Sequence, residues 1–345
     1  MSRADAKRAC SMTKYRRGHD RDELLADVAE MYYVDDLTQA EVSRAIEMTR
    51  SAVSRMLTEA RRKGIVEITV HRPLSFDQTL EENLIQRFGL LDAHVISLQQ
   101  ETNYRTLRRR LGRTAAQVLK DLLRPQMICG VAWSTTVIAT IDALQIANPI
   151  PMQIVQLVGV LGSSSHAYNA HALVEMMARK VGGEGVYLYT PFIVENADTA
   201  RSLLSIPNVR EALAAGKRSD VALLGIGTLS DEKYSSLYQG QHISRDTFDA
   251  LREAGAVGDV SGHHFDLAGN EPDTHFHERL VGIAREDLLA IPVRLGVAGS
   301  LVKTDAILGA LRGGFVNQLI TDSSTAAAVL ALDGAAEIKN SRFDN

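Results

Sequence analysis

Cysteine is almost missing: 345 residues hold only Cys10 and Cys129, far apart. That usage offers no disulfide framework and reads as a cytosolic chain with free thiols. Long apolar runs are missing too. No stretch reaches the ~18 residues of a membrane-spanning helix, and Met1 to Asp20 is polar and basic, without the apolar centre of a secretory signal. A cytoplasmic protein without membrane contact is expected. There is no P-loop and no nucleophile–His–acid set, so no catalytic residue and no cofactor is assigned. His263, His264, His275 and His277 lack regular spacing with cysteine or acids, which argues against a metal site. Strong positive charge is also absent, at a formal net charge of -4. That figure hides an asymmetry. Residues 1–72 hold 14 Lys and Arg against 12 Asp and Glu, net +2; the remainder holds 24 against 30, net -6. An acidic bulk with a slightly basic head fits a chain that touches DNA through a small surface.

What is present is organised around Thr38 to Gly64. Thr38 and Glu41 form a capping box, and Ala40, Val42, Ala45 and Ile46 give a short helix an apolar face. Glu47, Met48 and Thr49 break it. Thr49 is a second N-cap, and a helix over Arg50 to Lys63 carries Val53, Met56, Leu57 and Ala60 at helical spacing, stopped by Gly64. Two helices so close suggest a helix-turn-helix, whose second helix reads the major groove. Its outward residues Arg50, Ser51, Ser54, Arg55 and Thr58 supply donors for base edges, and Thr38, Gln39, Thr49, Arg61 and Arg62 complete the candidate DNA contacts, the basic end with Lys63 facing phosphates. A helical hairpin with a solvated basic end is the plain alternative. Glu47 stands where such turns often hold Gly; φ > 0 there costs ~1 kcal/mol. A helix over Arg21 to Tyr33 completes a three-helix unit, and the alternating Ile65 to Val70 predicts a strand, hence a wing.

Residues 1–19 read as a disordered arm, 20–72 as the helix-turn-helix domain, 73–84 as linker, 85–338 as an effector domain and 339–345 as a tail. Beyond the linker, strands over 93–98, 127–132, 153–158, 186–189, 221–224, 292–298 and 317–321 alternate with helices, among them 105–123, 135–147 and 304–312. The alternation predicts a Rossmann-like parallel α/β sheet covered on both faces. A basic cluster at Arg105, Arg108, Arg109, Arg110 and Arg113 reads first as a solvated helix face. Ligands of such sheets bind beyond the carboxyl ends of the strands, which here repeatedly hold Gly, Ser and Thr. The turn ending in Ser134, Thr135 and Thr136 is a candidate phosphate cradle at a helix start. Lys303, at the start of another helix, opposes its dipole unless an anion is shared there. His166, Tyr168 and Asn169 are further candidates for the pocket, and Asp259 could accept from sugar hydroxyls.

The stretch from Met31-Tyr32-Tyr33 to Ile65-Val66-Glu67-Ile68 resembles the DNA-binding domain of SorC-family bacterial transcriptional regulators. GVAWSTT at 130–136, GIGTLS at 225–230, GAVGDVSGHHFD at 255–266, GVAGSLVKTDAILGALRGG at 296–314 and LITDSSTA at 319–326 are similar to the family's sugar-binding effector domain, itself similar to the ribose-5-phosphate isomerase and glucosamine-6-phosphate deaminase folds. The resemblance implies a sugar, polyol or sugar-phosphate effector held by the 130–136 turn and Lys303, double-stranded operator DNA as partner, and self-association as dimer or tetramer. Two positions depart from it: Trp133-Ser134 stands where members often have Gly-Gly, and Ser300 replaces the second Gly of the turn before the lysine. Both narrow the backbone's freedom beside the ligand. The expected function is control of carbohydrate catabolism. The rival is a sugar-phosphate isomerase or deaminase with a DNA-binding head, for which Asp259 is the nameable general base.

Overall fold

The computed structural model describes residues 21–66, 74–98, 102–161 and 170–340. It divides into two compact units, Met1–Pro73 and Leu74–Asn345. The expected arm, most of the expected wing strand, and His166, Tyr168 and Asn169 lie outside the described residues.

The first unit holds α1 (Arg21–Tyr33), α2 (Gln39–Ala45) and α3 (Arg50–Arg62). Both halves of the capping box form: the Thr38 hydroxyl accepts from the Glu41 N–H at 3.3 Å, and the Thr38 N–H donates to Glu41 Oε2 at 2.8 Å. Thr49 caps α3 by accepting from the Ala52 N–H at 3.2 Å. Between the helices Glu47 takes φ 54°, the left-handed conformation the turn demands. Its strain of ~1–2 kcal/mol is outweighed by a core of Leu25, Val28, Val42, Val53, Met56 and Leu57, where each fully buried Leu or Val contributes ~1.5–3 kcal/mol. Ile65 and Val66 turn back, both donating to the Ala60 carbonyl, and form a bend.

The second unit opens with α4 (Gln78–Phe88), which starts inside the stretch expected as linker because Asp77 caps it through the Leu80 N–H. Seven strands then form one parallel sheet: β1 (Asp92–Ile96), β2 (Ile128–Val131), β3 (Gln153–Gln156), β4 (Glu184–Val186), β5 (Val221–Gly225) and, later in the chain, β9 (Val293–Val297) and β10 (Gln318–Asp322). Their order is β1-β10-β9-β5-β2-β3-β4, every pair parallel. A second, antiparallel sheet of β6 (Gly227–Thr228), β7 (Gly258–Val260) and β8 (His263–Phe265) was not anticipated. Its strands are too short to leave a period-2 signature.

The helices are α5 (Tyr104–Leu122), α6 (Thr135–Ala143), α7 (Ala170–Val181), α8 (Ala197–Leu204), α9 (Pro207–Lys217), α10 (Ser236–Gln239), α11 (Arg245–Glu253), α12 (Arg285–Leu289), α13 (Thr304–Arg312) and α14 (Ser323–Asn340). α6 stops at Ala143 rather than 147, because buried Leu144 turns extended at ψ 125°. β5 shows why both faces are covered. Val221 and Leu223 pack with Leu111, Val137 and Ile141 from α5 and α6, while Ala222 and Leu224 pack with Phe248 and Ile307 from α11 and α13. A strand buried on both sides reads as a continuous apolar run.

The order places a topological switch between β2 and β5. From β2 the chain passes through α6 on one face and proceeds outward to β3. From β5 it passes to the opposite face and proceeds outward to β9. Chains diverging this way leave a crevice beyond the strand ends, where α/β proteins seat ligands.

Candidate functional site

In the first unit every residue assigned to DNA is exposed except half-buried Gln39. Arg50, Ser51, Ser54, Arg55 and Thr58 share the outer side of α3, opposite buried Val53, Met56, Leu57 and Ala60. Several are held by their own helix: Arg55 Nε lies 3.4 Å from the Ser51 carbonyl, and the Thr58 hydroxyl donates to the Ser54 carbonyl at 3.0 Å. Lys63 is the exception at the basic end, since it is tied to Asp22. Arg61 and Arg62 make no ion pair among the described residues.

In the second unit the described effector candidates, Ser134, Thr135, Thr136, Asp259 and Lys303, lie around the β2/β5 switch. Ser134 caps α6 by accepting from the Val137 N–H at 3.0 Å. Its hydroxyl sits so close to β5 that a Cβ on Gly225 would stand 2.1 Å from it. The Thr136 hydroxyl is already committed, donating to the Val297 carbonyl at 2.6 Å and stitching α6 to β9. Among the described residues the Thr135 hydroxyl makes no hydrogen bond, and the first-turn N–H groups of Thr135 and Thr136 have no acceptor. The donors left over at this turn are therefore the backbone and Thr135 rather than three free hydroxyls.

Lys303 ends a 3-10 turn, Leu301–Lys303, and is the N-cap residue of α13. It is not bent into solvent. The side chain is buried, and Nζ donates to the Ile226 carbonyl at 2.5 Å. No carboxylate pairs with it among the described residues. A buried ammonium at the positive end of a helix, holding one carbonyl, is electrostatically unfinished. Asp259 approaches the same strand end from β7: it pairs with Gly227, and a Cβ there would stand 1.9 Å from Asp259 Oδ1. Its other oxygen accepts from the Gly262 N–H at 3.2 Å. Residues 225–227 are thus the point at which Ser134, Asp259 and Lys303 converge.

Asp322 had no role in the sequence reading. It is buried at the end of β10. There it accepts from the Ser300 N–H at 2.9 Å, the Thr325 hydroxyl at 2.7 Å and the Thr325 N–H at 3.0 Å. It thereby fixes the turn that delivers Lys303, in which Ser300 takes φ 93°, ψ 134°. Its bond to Ser300 depends on β9 and β10 being neighbours, which no local pattern encodes.

Other titratable groups are quieter. Burial holds the His263 and His264 imidazoles below their ordinary range, and pushes the Cys129 thiol up to about 12. Among the described residues no group of His, Cys, Asp and Glu could hold a metal ion, and no helix is long and apolar enough to cross a membrane. A cleft of about 360 Å³ lies between Leu204, Leu213, Leu280 and Ile283, and a shallower depression of about 460 Å³ at Asn83, Gln86, Arg87 and Leu330. Neither contains an assigned effector residue.

The sugar-binding domain family matches residues 72–331. Over 319 residues the chain is 32% identical to the transcriptional regulator LsrR of Escherichia coli O139:H28, covering 91% of this chain and 96% of that protein. The chain belongs to the SorC family of transcriptional regulators. The deoxyribonucleoside regulator of Bacillus subtilis is 29% identical across 90% of this chain and 98% of its own. The crystal structure of the full-length sorbitol operon regulator SorC from Klebsiella pneumoniae superposes with a TM-score of 0.67 at 26% identity, covering 90% of this chain and all of that one. These relatives are named as regulators, not enzymes, which decides between the two readings of the sheet.

Proposed function

We propose that the chain is a sugar-responsive regulator of carbohydrate catabolism in which α3 reads operator DNA and the β2/β5 switch holds the effector. The observation that carries the effector half is Lys303: a buried ammonium, at a helix start, with one carbonyl for company. An anionic or strongly hydrogen-bonding oxygen shared by Lys303, Thr135 and the first-turn N–H groups of α6 completes that charge, while Asp259 accepts from ligand hydroxyls. This arrangement suits a sugar phosphate or a polyol. Relatives named for sorbitol and deoxyribonucleosides support a polyhydroxylated ligand. The exposed face of α3 supports the DNA half, and self-association as dimer or tetramer lets two such helices address a two-fold operator.

The test is a thermal-shift screen of sugars, polyols and their phosphates. A ligand at one hundred times its Kd adds ~2.7 kcal/mol to stability. With Lys303→Met the selective shift disappears while basal operator binding persists. An undiminished shift in that variant places the ligand elsewhere.

A further inference from the structure

The five arginines in the N-terminal half of α5 are left unused by this function. Arg105, Arg109 and Arg113 recur at every fourth residue, about 6 Å apart along one side; Arg105 and Arg109 are exposed, and Arg113 is half-buried, as are the flanking Arg108 and Arg110. The helix carries one carboxylate, Asp121, and that accepts from Gln117 Nε2 at 3.1 Å, two turns beyond Arg113. No ion pair reaches any of the five among the described residues. The arrangement opposes the helix twice over. Cations crowd the positive end of the dipole with no acid in the first turn, and like charges at i, i+4 repel. Arg110 Nε is in addition shielded from water without a partner.

We propose that this stripe is a second contact with duplex DNA, to the phosphate backbone, in addition to the groove-reading helix. The proposal rests on the chain binding DNA at all. A row of phosphates removes both penalties together, and guanidinium forks match phosphate oxygens bidentately. A protein partner fits less well. Every exposed residue of α5 is polar: Arg105, Thr106, Arg109, Gln117, Lys120 and Asp121. Protein interfaces place apolar and aromatic groups at their centre and deplete charge there, and this face offers no such centre. The rest of the unit is acidic, so the stripe is where a polyanion is welcomed.

The test uses the full chain and a random-sequence 40-base-pair duplex, with affinity measured by fluorescence anisotropy across a range of NaCl. Each phosphate contact contributes about -0.9 to the slope of log K against log salt. The triple variant R105Q/R109Q/R113Q should flatten the slope by about 2 to 3, and R105K/R109K/R113K should restore most of it. R61Q/R62Q, in the first unit, should flatten it independently. A slope unchanged in the Gln triple variant, with R61Q/R62Q still flattened, overturns the stripe while sparing the helix-turn-helix reading. Loss of self-association in the Gln triple variant, with its slope intact, assigns the face to a second copy of the chain and equally overturns the proposal. If neither set changes the slope, DNA binding itself is misassigned.

Discussion

Ser300 stands in a backbone conformation that favours glycine, and replacing it isolates the strain stored beside Lys303. At φ 93°, ψ 134° an L-residue costs ~1–3 kcal/mol. The Ser300 hydroxyl makes no hydrogen bond among the described residues; its N–H donates to Asp322 and its carbonyl accepts from the Lys303 N–H at 2.8 Å. Ser300→Gly keeps both backbone bonds and releases the strain. It gives back ~0.4–1 kcal/mol through the greater freedom of glycine in the unfolded chain, leaving a net gain of ~0.5–2 kcal/mol. For a unit of this size that is ~1–8 °C in Tm. Ser300→Ala removes the same hydroxyl but keeps the conformational demand, so it should remain near the parent. Urea and thermal denaturation of the three proteins decide the matter. If Gly and Ala variants are equally stable, the strain argument is wrong.

Two further outcomes follow from buried polar groups. Asp322→Ala leaves the Ser300 and Thr325 N–H groups without their acceptor in a buried turn, and should cost ~2–4 kcal/mol together with effector binding; a variant within 0.5 kcal/mol of the parent by urea titration removes its bracing role. His263 and His264 are held neutral by burial, below the ordinary 6.5. The unfolded chain therefore takes up protons first as pH falls. Their contribution is complete above 6.5 and erodes beneath it, whereas exposed His275 beside Glu278 is raised and works weakly in the opposite sense. Tm should fall between pH 6.5 and 5, and a flat or rising profile refutes the assignment.

Much of this was legible because strand tips and helix caps are local. The capping box at Thr38 and Glu41, the left-handed demand on Glu47 and the run from β9 to α13 all follow from neighbours in sequence. What was not legible depends on contacts between distant segments. That Lys303 holds the Ile226 carbonyl could not be read from side chains, since its partner is backbone on another strand. That the Thr136 hydroxyl is spent on Val297 requires knowing that α6 runs past the end of β9. The β6–β7–β8 sheet escaped because its strands have two or three residues each. Asp259 could be read as an acceptor for sugar hydroxyls, but its position against Gly227 depends on the pairing of β6 with β7.

The sheet also carries an instruction about time. β1, the first strand of the second unit, has β10, the last, as its neighbour. Its other edge is bridged by Phe76, just upstream. During synthesis, then, the edge of β1 that faces β10 waits unpaired until almost the whole unit has left the ribosome. A chain cut short before Gln318 strands the Asp92–Ile96 edge in the open, a template for association with other chains. Completion of the last strand and its following helix is what closes this half of the protein, so its C-terminal truncations should accumulate as aggregates rather than as smaller, working regulators.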